Sequence, residues 1–212
     1  MVRTPWFDEE VSFQEAAEIG TEKVIQEHST IGLVVTTDGS ITEIKREDYV
    51  DAERRVISEL KELGKPFIVV LNSMHPASDD TRGLGETLAA AYDVPVIPVD
   101  CLRMSSEDIM GVLDGVLSEF PVREISVRLP DWVAELDETH PVRAGFIASV
   151  RQAVESVDRV RDVQGAVQML GLSPNAQSAV VALLDLGTGR VSIELTAPRA
   201  LFYTVISEVI GA

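Results

Sequence analysis

Cysteine is almost absent: Cys101 stands alone among 212 residues. A single thiol excludes an internal disulfide and any cysteine-built metal site, and it fits a reducing compartment. No run of about 18 apolar residues occurs, so a membrane-spanning helix is excluded. A secretory signal is missing too, because Asp8-Glu9-Glu10 places acid where such a peptide needs base and then an apolar stretch. Trp6, so close to Met1, is unusual for a natural start and points to a beginning inside a larger protein. Positive charge is scarce, with 18 Lys and Arg against 35 Asp and Glu, a net charge of -17. A nucleic-acid binder needs the opposite footprint. An anionic membrane should repel the chain unless a partner mediates contact. The acidity reads first as a solubility device.

Catalytic signatures are also lacking. A P-loop needs GxxxxGK[ST], whose glycine-rich turn offers backbone amides to phosphate. Gly64-Lys65 is the one Gly-Lys pair, and Pro66 follows it. Gly83-Leu84-Gly85 falls inside a polar helical stretch and is no dinucleotide fingerprint. There is no GxSxG elbow. His28, His75 and His140 lack metal-ligand spacing and read as surface or satisfied histidines. No catalytic residue and no metal ligand is assigned.

What is present is a strand-then-helix rhythm backed by 45% apolar residues, enough for a real core. Ser12, with Glu15 three residues on, has capping-box spacing. Phe13, Ala16, Ala17, Val24 and Ile25 then recur at helical spacing up to His28-Ser29. Ile31 to Val35 reads as a strand buried on both faces. Tyr49, Ala52, Val56, Leu60 and Leu63 form a helical stripe, stopped by Gly64 and Pro66. Phe67 to Leu71 is a second buried strand, and residues 79–92 are helical. Val94 to Val99 is a third strand, whose two prolines argue for a sheet edge. Ser105 or Ser106 caps a helix carrying Ile109, Val112, Leu113, Val116 and Leu117. Such βαβ units form a parallel sheet, and right-handed crossovers gather the loops after its strands on the carboxyl edge, where ligands bind.

The pattern changes at Pro121. Ile125, Val127 and Leu129 alternate as in a half-exposed strand. Helix signals run from about Pro141 to Val163, with Phe146, Val150, Val154 and Val157 on one face. The mixed charges from Arg151 to Arg161 read as a solvated helix face. Ala179 to Leu184 and Val191 to Leu195 flank a tight connection, whose Gly187 and Gly189 suit positive φ. Pro198 opens a last helix with Leu201, Val205 and Val209. Strand, helices, hairpin and helix make a small α+β unit. No repeat or low-complexity tract appears.

The order of the first part resembles translation-factor-type GTPases after their Walker B strand. There Asn-Lys-x-Asp follows the fifth strand and reads the base. Here that stretch falls on Asn72-Ser73-Met74-His75, with the Asn kept, the Lys replaced and His75 where the Asp would stand. Loss of that Asp removes the partner of guanine and makes ATP plausible. Asp100-Cys101 takes the place of the third base-contacting loop. The resemblance therefore puts nucleotide contacts at Asn72, Ser73, Asp100 and Cys101. The residues alone also allow a plain turn at Asn72 and a turn with a buried thiol at Asp100-Cys101. Thr36-Thr37-Asp38-Gly39-Ser40 is open between a ligand loop and a polar connection capping the next helix. Arg3 to Trp6 would lie in a switch-like region, or in a frayed terminus.

Collinear stretches along the chain resemble the stage IV sporulation protein A family, spore-coat morphogenetic ATPases of endospore-forming bacteria. They include Arg3-Thr4-Pro5-Trp6, Lys23 to Gly32, Thr36-Thr37-Asp38-Gly39, Gly64 to Ile68, Leu71-Asn72-Ser73 and Tyr92 to Val96. Glu119 to Val122, Leu129 to Val133, Val160 to Val163 and Glu208 to Gly211 continue the match. The resemblance implies an incomplete P-loop-NTPase-like α/β fold. Its parallel sheet and flanking helices would occupy residues 1–120, lacking P-loop and Walker B. A smaller α+β middle domain would occupy 121–212, with the boundary near Phe120. It implies a protein that uses ATP and Mg when full length and polymerises with itself. The polymer forms the basement layer of the coat on the mother-cell, cytoplasmic side of the forespore surface. It meets other coat proteins, and reaches the membrane only through a small amphipathic peptide and a further C-terminal part. This chain alone is expected to bind no nucleotide and hydrolyse none, to contact no nucleic acid, and to self-associate through exposed apolar surface. The alternative reading is a nucleotide-binding regulatory or interaction module without catalysis. A receiver-like domain is a weaker third, lacking an acidic cluster at a first strand.

Overall fold

The computed structural model describes residues 1–5 and 7–211. Trp6, and the side chain of Val209 in the expected last stripe, lie outside the described residues. The chain divides into two compact units, Met1–Val116 and Leu117–Ala212.

The first unit begins with a hairpin where a frayed terminus was open to expectation. Strands β1 (Val2–Thr4) and β2 (Phe7–Val11) pair antiparallel. Helix α1 (Phe13–Lys23) follows, and Val24–His28 continues it as a wider turn. Ser12 caps it as expected, its hydroxyl accepting from Glu15 N at 3.1 Å. Strands β3 (Gly32–Thr37), β4 (Phe67–Asn72) and β5 (Val96–Val99) form a parallel sheet in that order. The proline-bearing β5 is at an edge of it, as its missing donors require. Helix α2 (Val50–Glu62) joins β3 to β4, α3 (Asp79–Tyr92) joins β4 to β5, and α4 (Ser106–Ser118) follows β5. Gly64 ends α2 at φ +63°, the left-handed cap that glycine adopts without Cβ strain.

One sheet face is closed. Val34, Phe67 and Val69 pack with Ile57 and Leu60 of α2 and with Val94. The buried stripe of α2 is Glu53, Ile57 and Leu60, so the expected Ala52 faces outward instead. The other face is closed only in part. Gly115 of α4 lies so near the sheet that a Cβ there would come 2.8 Å from Ile97 and 3.5 Å from Ile68. Leu33 and Val35 share that face with their register partners Ile68 and Val70. Yet Leu33 is 51% exposed and Val35 62%, because no described helix covers β3 there. The expectation of a strand buried on both faces fails for β3 and holds for β4, whose Phe67 to Leu71 are all buried.

In the second unit, β6 (Glu124–Arg128) runs parallel to β8 (Arg190–Thr196), and β7 (Ser178–Asp185) pairs antiparallel on its other side. Short α5 (Asp131–Ala134), α6 (Pro141–Val154), α7 (Val160–Gly171) and α8 (Arg199–Ile210) complete it. The core joins Val133, Phe146, Val163, Leu170, Val191 and Ile193. The helix signals expected from about Pro141 to Val163 fall on two helices, and the second runs on past Val163 to Gly171. Asp162 divides them by accepting from Arg159 N at 2.8 Å, a cap that starts α7. The expected solvated face at Arg151 to Arg161 fails at its end. Arg159 and Arg161 reach buried Glu119 at 2.7 and 3.2 Å. Of the two turn glycines only Gly189 takes positive φ, at +70°.

Candidate functional site

The parallel strands bring the loops after β3, β4 and β5 to one edge, as the βαβ reading requires. Asp38, just past β3, organises the first loop. Its Oδ1 accepts from Ser40 N at 2.9 Å and Ser40 Oγ at 2.6 Å, and its Oδ2 accepts from Thr81 Oγ1 at 3.2 Å. Ser40 Oγ in turn accepts from Met74 N at 2.9 Å, which ties the loops after β3 and β4 together. Burial pushes the Asp38 carboxyl up. The hydroxyls of Ser40, Ser73 and Thr81 and the Ser40 amide outweigh it, and the carboxyl sits below its ordinary range. Of the loop expected from Thr36 to Ser40, Thr36 and Thr37 are instead the buried end of β3, and Asp38 to Ser40 are braced against α3.

The four expected contact residues lie together at this edge. Asn72 ends β4, and its Oδ1 accepts from Cys101 N at 3.0 Å, joining the loops after β4 and β5. Ser73 is fully buried. Its amide donates to Val99 O at 2.9 Å and its hydroxyl accepts from His75 N at 2.9 Å. Asp100 accepts from Leu102 N at 3.0 Å, closing a turn. Cys101 is exposed, so of the two readings open for Asp100-Cys101 the turn with a buried thiol fails. Partial burial and the neighbouring Asp100 still push its thiol up.

A second network stands beside the loop after β3 and was not read from the sequence. Arg46 donates to Thr36 Oγ1 at 3.1 Å and to Glu53 Oε1 at 2.8 Å. Tyr92 OH donates to the same Oε1 at 2.9 Å. Burial pushes Glu53 up, but Arg46, Thr36 and Tyr92 hold it below the carboxylate range. Burial and Glu53 push the Tyr92 phenol up. The network fixes the start of α2 under Thr36.

Among the described residues no group of three His, Cys, Asp or Glu comes together to hold a metal. No helix of the described residues is long and apolar enough to cross a membrane. A groove of about 760 Å³ runs between α1 and α2, walled by Phe13, Ala17, Ile25, Val56 and Leu63 with Glu22 and Glu59 beside them. None of the expected contact residues lines it.

Comparison with known proteins places this sequence in a family. Residues 1–121 match the family described as stage IV sporulation protein A, ATPase domain. Residues 122–212 match its middle domain. The protein called stage IV sporulation protein A of Bacillus subtilis (strain 168) is 46% identical over 211 residues, as is that of Bacillus anthracis. That of Clostridioides difficile (strain 630) is 43% identical over 211 residues. Each match covers 100% of this chain and 43% of the relative, so the chain spans less than half the length of these relatives. No solved structure matches the chain. Matched from end to end by two successive domains of one protein, the chain belongs to the stage IV sporulation protein A family.

Proposed function

We propose that the chain is the rear of the ATPase domain and most of the middle domain, divided near Phe120, of a self-assembling ATPase that builds the basement layer of the spore coat. Alone it hydrolyses no nucleotide. The observation that carries this reading is the bare strip on β3. In a P-loop sheet of the translation-factor type the last three strands would stand in the order β3-β4-β5 has here, and the strand leading into the phosphate loop would pair at the edge that β3 leaves open. Exposed Leu33 and Val35 are the surface that the helix after such a loop covers.

Asn72, Ser73, Asp100 and Cys101 stand where the base of ATP would lie, held in shape by the Asn72–Cys101 bond. The residues present do not suit the triphosphate or its Mg. Gly39, at φ +89°, is packed against Arg46 N, which a Cβ would approach to 2.9 Å. That turn is braced, not open to phosphate, and both Asp38 oxygens are engaged. The whole protein would act on the mother-cell, cytoplasmic side of the forespore surface. Its partners would be its own copies and other coat proteins, with the membrane reached through a small amphipathic peptide.

Calorimetry with ATP and GTP, on this chain and on one extended upstream through a glycine-rich loop, tests the reading. ATP binding by the extended chain alone is expected. Binding by the short chain overturns it and moves the phosphate site into the loops after β3, β4 and β5.

A further inference from the structure

Strand β7 is placed at an edge but has the composition of an interior strand. Its sheet order is β6-β8-β7, so one side of β7 pairs with β8 and the other is free among the described residues. On β8 the side chains alternate: Val191, Ile193 and Leu195 are buried in the core, and Arg190, Ser192 and Glu194 face outward. The outward register partners on β6 are Glu124, Ser126 and Arg128. That is the pattern of a sheet with one wet face. Strand β7 breaks it. Ala182 is a bulge, so Val181 and Leu184 stand opposite Ile193 and Val191 on the core face. Val180 and Leu183 stand opposite Glu194 and Ser192 on the wet face. All four are open to solvent: Val180 51%, Val181 39%, Leu183 58% and Leu184 42%.

We propose that the free edge of β7 pairs antiparallel, across a two-fold axis, with β7 of a second copy of this chain. The inference names the surface for the self-association proposed above and rests on that reading. Three observations favour a second copy as occupant. From Ser178 to Leu184 the strand carries no charge, in a chain of net charge -17, so two copies meet here with least repulsion. An antiparallel edge is self-complementary under a two-fold, since each copy offers the same donors and acceptors. The usual edge guards of lysine, proline or an inward charge are missing, and the bulge alone remains. Eight residues span roughly 26 Å, so pairing buries about 1,000 Å² in total, the low end for a specific interface. A weak, concentration-dependent dimer is the result.

Sedimentation velocity over a concentration series tests this on the whole chain and on Leu183→Lys, Val180→Lys and Val35→Lys. The two β7 variants are expected to raise the dissociation constant at least tenfold, by placing charge against charge, and Val35→Lys to leave that contact intact. A cysteine scan of positions 178–184 in a Cys101→Ser background supplies a readout that does not depend on the lysine variants folding. Self-cross-linking should peak at one position near the axis and fall off on both sides. A chain that stays monomeric throughout the series overturns both this inference and the self-association reading for this chain. Association abolished by Val35→Lys and untouched by Leu183→Lys, with a flat cysteine scan, overturns β7 alone. A β7 covered by some other protein would leave the purified chain monomeric and unlinked, and overturns it too.

Discussion

Thr81 Oγ1 donates to Asp38 Oδ2 at 3.2 Å across 43 positions of sequence. The bond fastens the loop after β3 to the first turn of α3, next to the hydroxyl of Ser78 that caps that helix at 3.2 Å. A carboxylate so held contributes stability only while ionised. Its folded value lies below the ordinary 3.8, so its contribution is complete above about pH 5 and is lost as pH falls through the unfolded and then the folded value. Urea midpoints measured from pH 6 down to pH 3 should therefore decline for the native chain and decline less for Asp38→Asn. At neutral pH, Asp38→Ala should cost about 2 kcal/mol, the scale of hydrogen bonds to a charged acceptor.

The Arg46–Glu53 pair makes a sharper demand. Glu53 is 5% exposed and takes both Arg46 and Tyr92. Glu53→Ala leaves a guanidinium with no counter-charge in a half-dry site, and should cost about 3 kcal/mol. Replacing the pair together by apolar residues, Arg46→Met with Glu53→Leu, should recover part of that loss. A double-mutant cycle by urea unfolding gives the coupling directly. Additive losses would show that the two side chains are held by their surroundings and not by each other.

These two networks also mark where sequence reasoning stopped. The sheet was legible because Phe67 to Leu71 is an unbroken apolar run, and a buried parallel strand requires one. Asn72 was legible as the start of the loop after that strand, although β4 runs one residue further and ends on it. Its acceptor role toward Cys101 was not, since the two meet only when β4 and β5 pair. Glu53 was missed because burial is assigned to apolar residues first, and nothing local reveals that Arg46 and Tyr92 converge on it. The break between α6 and α7 was missed for a related reason. Val157 continues the helical spacing, and no glycine or proline interrupts residues 155–159, so the start of α7 rests on a cap by Asp162. The bare face of β3 was misread because an apolar run tells what a strand can bury, not what is there to cover it.

Asn72 gives a prediction with a clean reporter, because Cys101 is the chain's sole thiol. Burial and Asp100 raise the thiol's pKa, so at pH 8 its reaction with a disulfide reagent should be slower than that of free cysteine. Asn72→Ala removes the acceptor of Cys101 N and loosens the turn after β5. Labelling should then speed up by roughly threefold, as desolvation of the thiol relaxes. An unchanged rate would mean that Asp100, through its own bond to Leu102 N, holds the turn alone.

The hairpin between β7 and β8 separates two glycines that look alike in sequence. Gly189 takes φ +70°, and a Cβ there would stand 2.8 Å from Pro121 O and 3.3 Å from Arg123 N. Its own carbonyl accepts from Arg123 N at 2.8 Å and Glu124 N at 3.2 Å, so the strand it would collide with cannot retreat without breaking those bonds. Gly189→Ala combines left-handed strain with this clash and should cost about 3 kcal/mol. Gly187 has no positive φ, and its Cβ would meet only the end of the Asp185 side chain at 3.3 Å. Gly187→Ala should stay within about 0.5 kcal/mol of the native chain. Equal losses from the two substitutions, read by thermal unfolding of each variant, would mean that the turn repacks around either residue and that the contact between Gly189 and Pro121 does not fix the start of β6.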